Sequence, residues 1–260
     1  MPENLVVVRG GGDLGTGTAW RLNRAGFPVI VLEIPRPLTV RRTVAFSTAV
    51  TEGTTVVEDV RAVLVDTPDD AVAASADAVA VLVSETMAQF PTPVSIVVDA
   101  RLAKQPLDTS RDMAPLVVGL GPGFVAGEHC DAVVETNRGP HLGRVIWEGA
   151  AQADTGVPGL VGGVSSARVL RATADGDVVW DVEIGDLVTA HQVLGRIGAT
   201  RLPAPIAGVV RGLIAPGPVK NGLKIADIDP RAQVAACFEI SDKSLSVAGG
   251  VLEAVMTWNR

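Results

Sequence analysis

The stretch RGGGDLGTGTAWRLNRAGFPVIVLEIP, from Arg9 to Pro35, decides the predicted fold. It follows the apolar run 5–8, and its pattern predicts a strand, a glycine turn, a helix and a second strand. Gly26 stands directly after the helical pattern, where a glycine typically ends a helix. Glu33 closes the second strand. This order is typical of a strand–helix–strand unit in an α/β sheet.

Further short runs of Val, Ile and Leu predict strands that are buried on both faces. Aromatic residues make up only 3% of the chain and Tyr is absent, so Val and Ala must fill the core. Segments 16–25 and 69–75 have helical character. The predicted strands are Val6–Val8, Val29–Leu32, Val63–Val65, Val79–Val83, Ser95–Val98 and Leu116–Val118. Strands that alternate with helices predict a Rossmann-like parallel sheet, and we assign it to residues 1–150.

The second part of the chain, residues 151–260, has a different pattern. A Gly- and Pro-rich stretch, 138–163, predicts loops and a domain boundary, and short strands around Gly or Pro turns follow it. The segment APIAGVVRGLIAPGPVKNGLKIADID resembles the second half of a lipoyl/biotinyl-type barrel-sandwich hybrid. The hairpin before it carries Arg201 and no lysine, so a carrier function is not expected. The predicted fold class is α/β, with a Rossmann-like parallel sheet followed by a smaller β-rich barrel-sandwich-like domain.

Composition excludes several classes of partner and compartment. The net charge of −7 and the pI near 5.0 argue against nonspecific binding to nucleic acid or to an anionic membrane. The two cysteines are far apart and form no disulfide framework, which favours a reducing compartment. The sequence has no secretory-signal pattern and no run of ~20 apolar residues. We therefore expect a cytoplasmic protein and leave homo-oligomer formation open.

The glycine turn carries the pattern Gly10-x-Gly12-x-x-Gly15 between a strand and a helix. In this context the glycines permit a tight turn, a close backbone approach to a pyrophosphate, and close packing of helix on strand. The helix start offers N–H groups and partial positive charge to an anion. Glu33 lies where a carboxylate accepts hydrogen bonds from ribose. Asp13 lies inside the turn and opposes ordinary pyrophosphate binding, and the alternative is that the glycines serve packing alone.

Other candidate binding residues follow predicted strands. Arg41 and Arg42 form a cationic pair that either holds a phosphate or faces solvent. Asp99 and Arg101 end a strand, where α/β proteins collect ligand-binding groups, although a simple ion pair is the alternative.

A second glycine run, VVGLGPGFVAGEHCDAVVETNRG, also follows a predicted strand. Gly121 and Gly123 permit close backbone approach to a ligand or form a tight loop without one. Asn137 and Arg138 add an amide and a guanidinium that suit phosphate or pterin edges.

Cys237 is the candidate catalytic residue, since a thiolate carries or accepts sulfur and Lys243 would lower its pKa if it were near. The alternative is a buried, apolar cysteine. The three histidines have no metal-ligand spacing, so we predict no metal site.

Several long blocks together resemble one family. They are VVVRGGGDLGTGTAWRLNRAGFPVIVLEIPRPLTVRRTVAFSTAV, VDARLAK, GLGPGFVAGEHCDAVVETNRGPHLGRVIW, KIADIDPR and CFEISDKSLSVAGGVLEA. In order and over nearly the whole chain, they resemble the YqeB family, accessory proteins of the selenium-dependent molybdenum hydroxylase system. The resemblance implies a molybdopterin-type cofactor or nucleotide as ligand, a molybdenum hydroxylase as client, and a role in loading or modifying the cofactor. The alternative function is an NAD(P)-dependent oxidoreductase.

Overall fold

The structure is a computed structural model that describes residues 4–104, 107–154, 156 and 162–258. Contacts divide the chain into two compact units. Unit 1 comprises Met1–Pro37, Ala45–Thr155 and Ile240–Arg260, and unit 2 comprises Leu38–Val44 and Gly156–Glu239. Residues 155 and 157–161 of the predicted Gly- and Pro-rich boundary lie outside the described residues.

Unit 1 contains four α-helices and eleven strands among its described residues. The helices are α1 Asp13–Arg24, α2 Ala49–Glu52, α3 Pro68–Ala74 and α4 Asp242–Trp258. The strands are β1 Leu5–Arg9, β2 Val29–Glu33, β3 Thr54–Val57, β4 Val60–Val65, β5 Val79–Val83, β6 Val94–Asp99, β7 Leu116–Leu120, β8 Val125–Ala126, β9 Ala132–Val134, β10 Val145–Ile146 and β11 Gly149–Ala150. All six predicted strands and both predicted helical segments are present, with small differences at their ends.

Nine of these strands form one sheet in the order β10-β9-β7-β6-β1-β2-β5-β4-β3. The seven strands from β9 to β4 pair in parallel, and the two edge pairs, β9 with β10 and β4 with β3, are antiparallel. Strands β8 and β11 form a separate two-stranded sheet. The sheet is therefore mixed.

The predicted fold class, a Rossmann-like parallel sheet followed by a barrel-sandwich-like domain, is wrong. The large sheet is mixed at both edges, and the described residues that connect β6 to β7 and β7 to β9 contain no α-helix. The hairpin at Glu58 and Asp59 explains one edge, because a two-residue connection can join only antiparallel strands. Glu58 adopts a φ of 54°, a value that suits such a turn. The resemblance of the second part to a barrel-sandwich hybrid is not confirmed.

Helix α1 begins at the glycine turn and ends where the sequence predicts. Ala25 is its C-cap, and Gly26 follows with a φ of +89° and donates its N–H to the carbonyl of Asn23. Glycine adopts this left-handed conformation without the steric penalty of a side chain. The turn returns the chain to the sheet at β2.

Helix α4 packs directly against α1. A side chain at Gly17 of α1 would place its Cβ 2.2 Å from the Oγ of Ser244. The Oγ of Ser244 donates to the carbonyl of Asp13 over 2.8 Å. This contact brings the starts of the two helices together.

Unit 2 contains eight strands in two antiparallel four-stranded sheets, ordered β12-β19-β17-β14 and β16-β15-β13-β18. The strands are β12 Val169–Arg171, β13 Gly176–Trp180, β14 Leu187–Val188, β15 Val193–Ile197, β16 Thr200–Pro203, β17 Gly208–Leu213, β18 Gly217–Val219 and β19 Lys224–Asp229. Its two core clusters each combine residues of both sheets, so the sheets pack face to face. In the described part of the chain, no helix has the length and apolar character needed to cross a membrane.

Candidate functional site

The predicted binding residues of unit 1 lie at the carboxyl ends of its parallel strands, in the loops that follow them or, for Asp13 and Gly15, in the first turn of α1. In open α/β sheets, ligands bind at this edge, beside the strand where the chain turns to the other half of the sheet. That strand is β1, which has β2 on one side and β6 on the other. The edge is therefore the candidate site.

The glycine turn joins β1 tightly to α1. Gly10 has a φ of +97°, and a Cβ on Gly15 would lie 1.9 Å from the Gly10 carbonyl oxygen. These two glycines therefore serve the turn and the packing of helix on strand.

Part of this turn is covered by its own chain. The carbonyl of Gly11 accepts hydrogen bonds from the Ser47 N–H and the Thr16 Oγ1, both over 2.9 Å. The Gly11 N–H donates over 2.8 Å to Glu33 Oε2, and the Ile34 N–H donates to Glu33 Oε1. Burial raises the pKa of Glu33, although these two N–H donors oppose the shift. Glu33 thus stabilises the turn.

Gly12 leaves the start of α1 without a side-chain cap. It is the N-cap residue, in an extended conformation with a φ of −73°, and no side chain caps the helix there. The first-turn N–H groups of a helix have no partner within the helix and carry partial positive charge. This is the feature of the edge that suits an anion.

Charged side chains surround this helix start. Arg138 forms a salt bridge of 2.6 Å with Asp242. Burial lowers the pKa of Lys243, as does the positive charge of Arg138, while Asp13 and Glu135 raise it. The helix start therefore lies among groups of both signs.

Glu135 holds the loop that follows β9. Its two carboxylate oxygens accept the N–H groups of Asn137 and Gln152, each over 2.7 Å. The Asn137 side-chain amide donates to Gln152 Oε1, also over 2.7 Å. The predicted ligand-binding amide of Asn137 thus has a partner within the protein.

A buried network links the ends of β1 and β6. Asp99, 1% exposed at its side chain, accepts hydrogen bonds from Arg101 Nη2 (2.5 Å) and from the hydroxyl of Thr109. Arg9, 2% exposed, donates to Thr109 Oγ1 over 3.1 Å and pairs with Asp108 over 2.7 Å. Arg101 Nη2 also pairs with Asp108 over 2.8 Å. The hydrogen bonds and charges of Arg9 and Arg101 lower the pKa of Asp108 to about 2.

The second glycine run contacts its own chain. A Cβ on Gly119 would lie 2.4 Å from the ring of Phe124, and one on Gly121 would lie 2.4 Å from Thr136 Oγ1. Gly121 and Gly123 have φ values of +78° and +101°. Phe124 therefore fills the space that the absent side chain of Gly119 leaves.

The remaining predicted residues, Arg41, Arg42 and Cys237, lie in unit 2. Arg41 Nη2 donates to the carbonyls of Ala236 (3.1 Å) and Glu239 (2.9 Å), and Arg42 Nε donates to a backbone carbonyl of β17. Burial raises the pKa of the fully buried Cys237 thiol, although Arg211 and Arg41 oppose the shift. Cys237 therefore lacks the activated thiolate expected of a sulfur carrier.

Sequence reasoning missed Arg9, Asp108, Glu135 and the position of Lys243 beside Asp13. One signal was available for Arg9, because a charged residue at the end of the apolar run LVVVR is rare in a buried strand. Asp108 carries no such signal, since loop aspartates are common.

A cavity of about 760 Å³ lies at the opposite, amino-terminal edge of the sheet. Its lining includes Leu5 of β1, Asn23 of α1, Pro28, Ser75 and Ser95. None of its lining residues, all of them described, is charged. It is separate from the predicted binding and catalytic residues.

Comparison with known proteins gives one strong similarity. The chain is 47% identical, over 257 residues and 98% of its length, to the "Uncharacterized protein YqeB" of Escherichia coli (strain K12). This similarity supports the resemblance of the chain to the YqeB family. The chain spans about half, 48%, of that protein's length. No protein-family model matches the chain.

Two solved structures show a distant similarity to the chain. An aspartoacylase family protein from Mesorhizobium loti is 12% identical and aligns with 90% of this chain and 87% of its own, at a TM-score of 0.29. A succinylglutamate desuccinylase/aspartoacylase from Rhodobacter sphaeroides is 16% identical, with 52% and 58% covered, at a TM-score of 0.25. Alignments with such low TM-scores show neither a shared fold nor a shared activity.

Proposed function

We propose that the chain binds a phosphate-bearing cofactor of molybdopterin type, or a nucleotide, at the carboxyl edge of the unit 1 sheet. It acts in the cytoplasm as an accessory protein that helps to load or modify this cofactor in molybdenum hydroxylases. The observation that carries the binding proposal is the helix start of α1, where Gly12 supplies no capping side chain. The client proposal rests on the YqeB resemblance, and the 47% identity to the Escherichia coli protein supports that resemblance.

The donors at this edge fit the phosphate end of such a cofactor. Backbone N–H groups at a helix N-terminus bind phosphate, and the glycine N-cap places no side chain on them. Glu33 faces the Gly11 and Ile34 N–H groups, so its carboxylate is directed at backbone donors. Asp13 is the one acidic residue of the first helical turn, and its charge opposes a bound phosphate.

The test compares three forms of the protein by isothermal titration with inorganic pyrophosphate. Gly12→Asp places a preferred N-cap side chain on the first-turn N–H groups, so the helix keeps its stability while the anion loses its donors. We expect Gly12→Asp to weaken pyrophosphate binding at least about tenfold, equivalent to ~1.4 kcal/mol.

Gly12→Ala is the matched control, because alanine has no acceptor, and it keeps the wild-type affinity. Asp13→Asn strengthens binding, since it removes a like charge. Absence of pyrophosphate binding by the wild type, or equal affinity of Gly12→Asp and Gly12→Ala, would contradict the proposal.

The alternative, an NAD(P)-dependent oxidoreductase, is favoured by Glu33, which closes β2 beside the glycine turn as a ribose-binding carboxylate does. Titrations with NADH and with CDP separate the two functions. Cytidine diphosphate represents the nucleotide half of a cytosine dinucleotide cofactor. Binding of CDP but not NADH supports the leading proposal, and the reverse supports the oxidoreductase.

A further inference from the structure

The network at the ends of β1 and β6 contains two arginines and two aspartates whose surroundings differ sharply. The residues Arg9 and Asp99 are register partners in the parallel pair of β1 and β6, so both side chains lie at the candidate edge. The side chain of Asp99 is 1% exposed, whereas that of Asp108 is 41% exposed. One carboxylate is enclosed and the other is open to solvent.

The enclosed carboxylate is fully engaged within the protein. Asp99 accepts from the Arg101 N–H (3.0 Å), from Arg101 Nε (3.1 Å) and Nη2 (2.5 Å), and from the hydroxyl of Thr109. It neutralises one of the two guanidinium groups. No ligand is needed to explain its position.

The exposed carboxylate bridges the two arginines. Asp108 Oδ2 lies 2.7 Å from Arg9 Nη2, and Asp108 Oδ1 lies 2.8 Å from Arg101 Nη2. One acid group thus gives one oxygen to each guanidinium, which is the way that small carboxylates and phosphates bind between arginines. Arg9 is a buried charge whose burial costs several kcal/mol unless an anion is paired with it.

We infer that Arg9 and Arg101 form a binding site for the carboxylate or phosphate group of a small ligand, and that Asp108 occupies this site in the free protein. A ligand oxyanion replaces the Asp108 carboxylate one for one, so the charge of the network stays balanced. The exposed side of Asp108 is the route by which the ligand enters. This site is distinct from the helix start at Gly12, and its test does not depend on that proposal.

The experiment measures binding of inorganic phosphate and of acetate, by isothermal titration at constant ionic strength, to the wild type and to two variants. Asp108→Ala removes the internal competitor and leaves one unbalanced positive charge. We expect it to bind phosphate at least about tenfold more tightly than the wild type does, with ~1.4 kcal/mol gained. Preference for phosphate or for acetate then identifies the acid group that the site takes.

Asp112→Ala is the matched control. Asp112 is an exposed aspartate in the same segment, so its removal changes the net charge equally, whereas the ion pairs to Arg9 and Arg101 are made by Asp108. We expect it to bind as the wild type does. Equal affinities of Asp108→Ala and Asp112→Ala would overturn the inference.

Asp108→Asn provides a second variant if Asp108→Ala fails to fold, since its amide oxygen still accepts from one guanidinium. It is expected to fold and to bind phosphate with an affinity between those of the wild type and Asp108→Ala. If neither variant folds, Asp108 is a required internal partner of Arg9, and the inference is overturned.

Discussion

The strands β6 of unit 1 and β19 of unit 2 end in the same Asp-x-Arg pattern with nearly the same geometry. In unit 1, the Arg101 N–H and Nη2 lie 3.0 and 2.5 Å from the carboxylate oxygens of Asp99. In unit 2, the Arg231 N–H and Nη2 lie 3.0 and 2.6 Å from those of Asp229. A side chain two residues after a strand-ending aspartate therefore closes on it in two different folds.

The two Asp-x-Arg pairs, Asp99–Arg101 and Asp229–Arg231, differ in how the charge of a second arginine is neutralised. In unit 2, the buried Arg211 lies 3.6 Å from Oδ2 of the same Asp229, so one enclosed carboxylate faces both arginines. In unit 1, Arg9 instead pairs with the exposed Asp108 from a separate loop. The comparison indicates that a shared, enclosed carboxylate serves stability, whereas an exposed one can be exchanged for a ligand.

The largest expected effect is a low reactivity of the two thiols, Cys237 in unit 2 and Cys130 in unit 1. Cys237 is fully buried, and Cys130 of unit 1 is buried too, with burial raising its pKa from 9.0 to about 11. Because the thiolate is the reactive form, both should react with Ellman's reagent at least about 100-fold more slowly in the folded than in the unfolded protein. The variants Cys130→Ser and Cys237→Ser assign each rate, and a Cys237 that reacts as a free thiol would restore its catalytic role.

The next effect is on stability. Asp229→Asn removes the carboxylate that faces the buried Arg211 and the exposed Arg231, and we expect unit 2 to lose about 3–5 kcal/mol, measured by hydrogen exchange of its amides. Asp108→Ala leaves one buried donor of Arg9 unsatisfied and costs unit 1 about 1–3 kcal/mol. Phosphate should restore stability to Asp108→Ala and not to Asp229→Asn.

The exposed Asp177→Asn of unit 2 is the control for these two variants and should change stability little. If Asp108→Ala and Asp229→Asn lose the same stability, and phosphate restores neither, the two Asp-x-Arg pairs do not differ in the proposed way.

The smallest effect is a pH dependence. The pKa of Asp108 lies at about 2 in the folded protein, held down by Arg9 and Arg101, against an ordinary value of 3.8. Its contribution to stability is therefore present above pH 3.8 and is lost as the pH falls towards about 2. Urea unfolding of the wild type and Asp108→Asn at several pH values should show a constant difference above pH 3.8 that shrinks below it. A difference that shrinks near neutral pH would contradict this assignment.

Local patterns predicted much of unit 1, and tertiary contacts explain what they missed. Val-rich runs and the glycine turn predicted the parallel strands because buried strands and tight turns have local signatures. Helix α4 was not predicted, since Gly249 and Gly250 interrupt its helical pattern. A Cβ on Gly250 would lie 2.1 Å from the carbonyl oxygen of Gly143, so close packing explains that glycine inside a helix.

The candidate site shows the same limit. The pair Asp99 and Arg101 was predicted because both residues stand at the end of a Val-rich predicted strand. Arg9 and Asp108 are 99 residues apart, and only the folded chain shows that they meet. The separation of Arg41, Arg42 and Cys237 into unit 2 likewise depends on contacts that no local pattern contains.

Binding of a phosphate group at the start of α1 can be followed residue by residue in an amide NMR titration with pyrophosphate. Assigned ¹H–¹⁵N spectra report each backbone N–H separately. We expect the largest shifts on the amides of residues 12–15, and we expect Gly12→Asp to abolish them. Shifts confined to other parts of the protein, or no shifts at millimolar pyrophosphate, would contradict it.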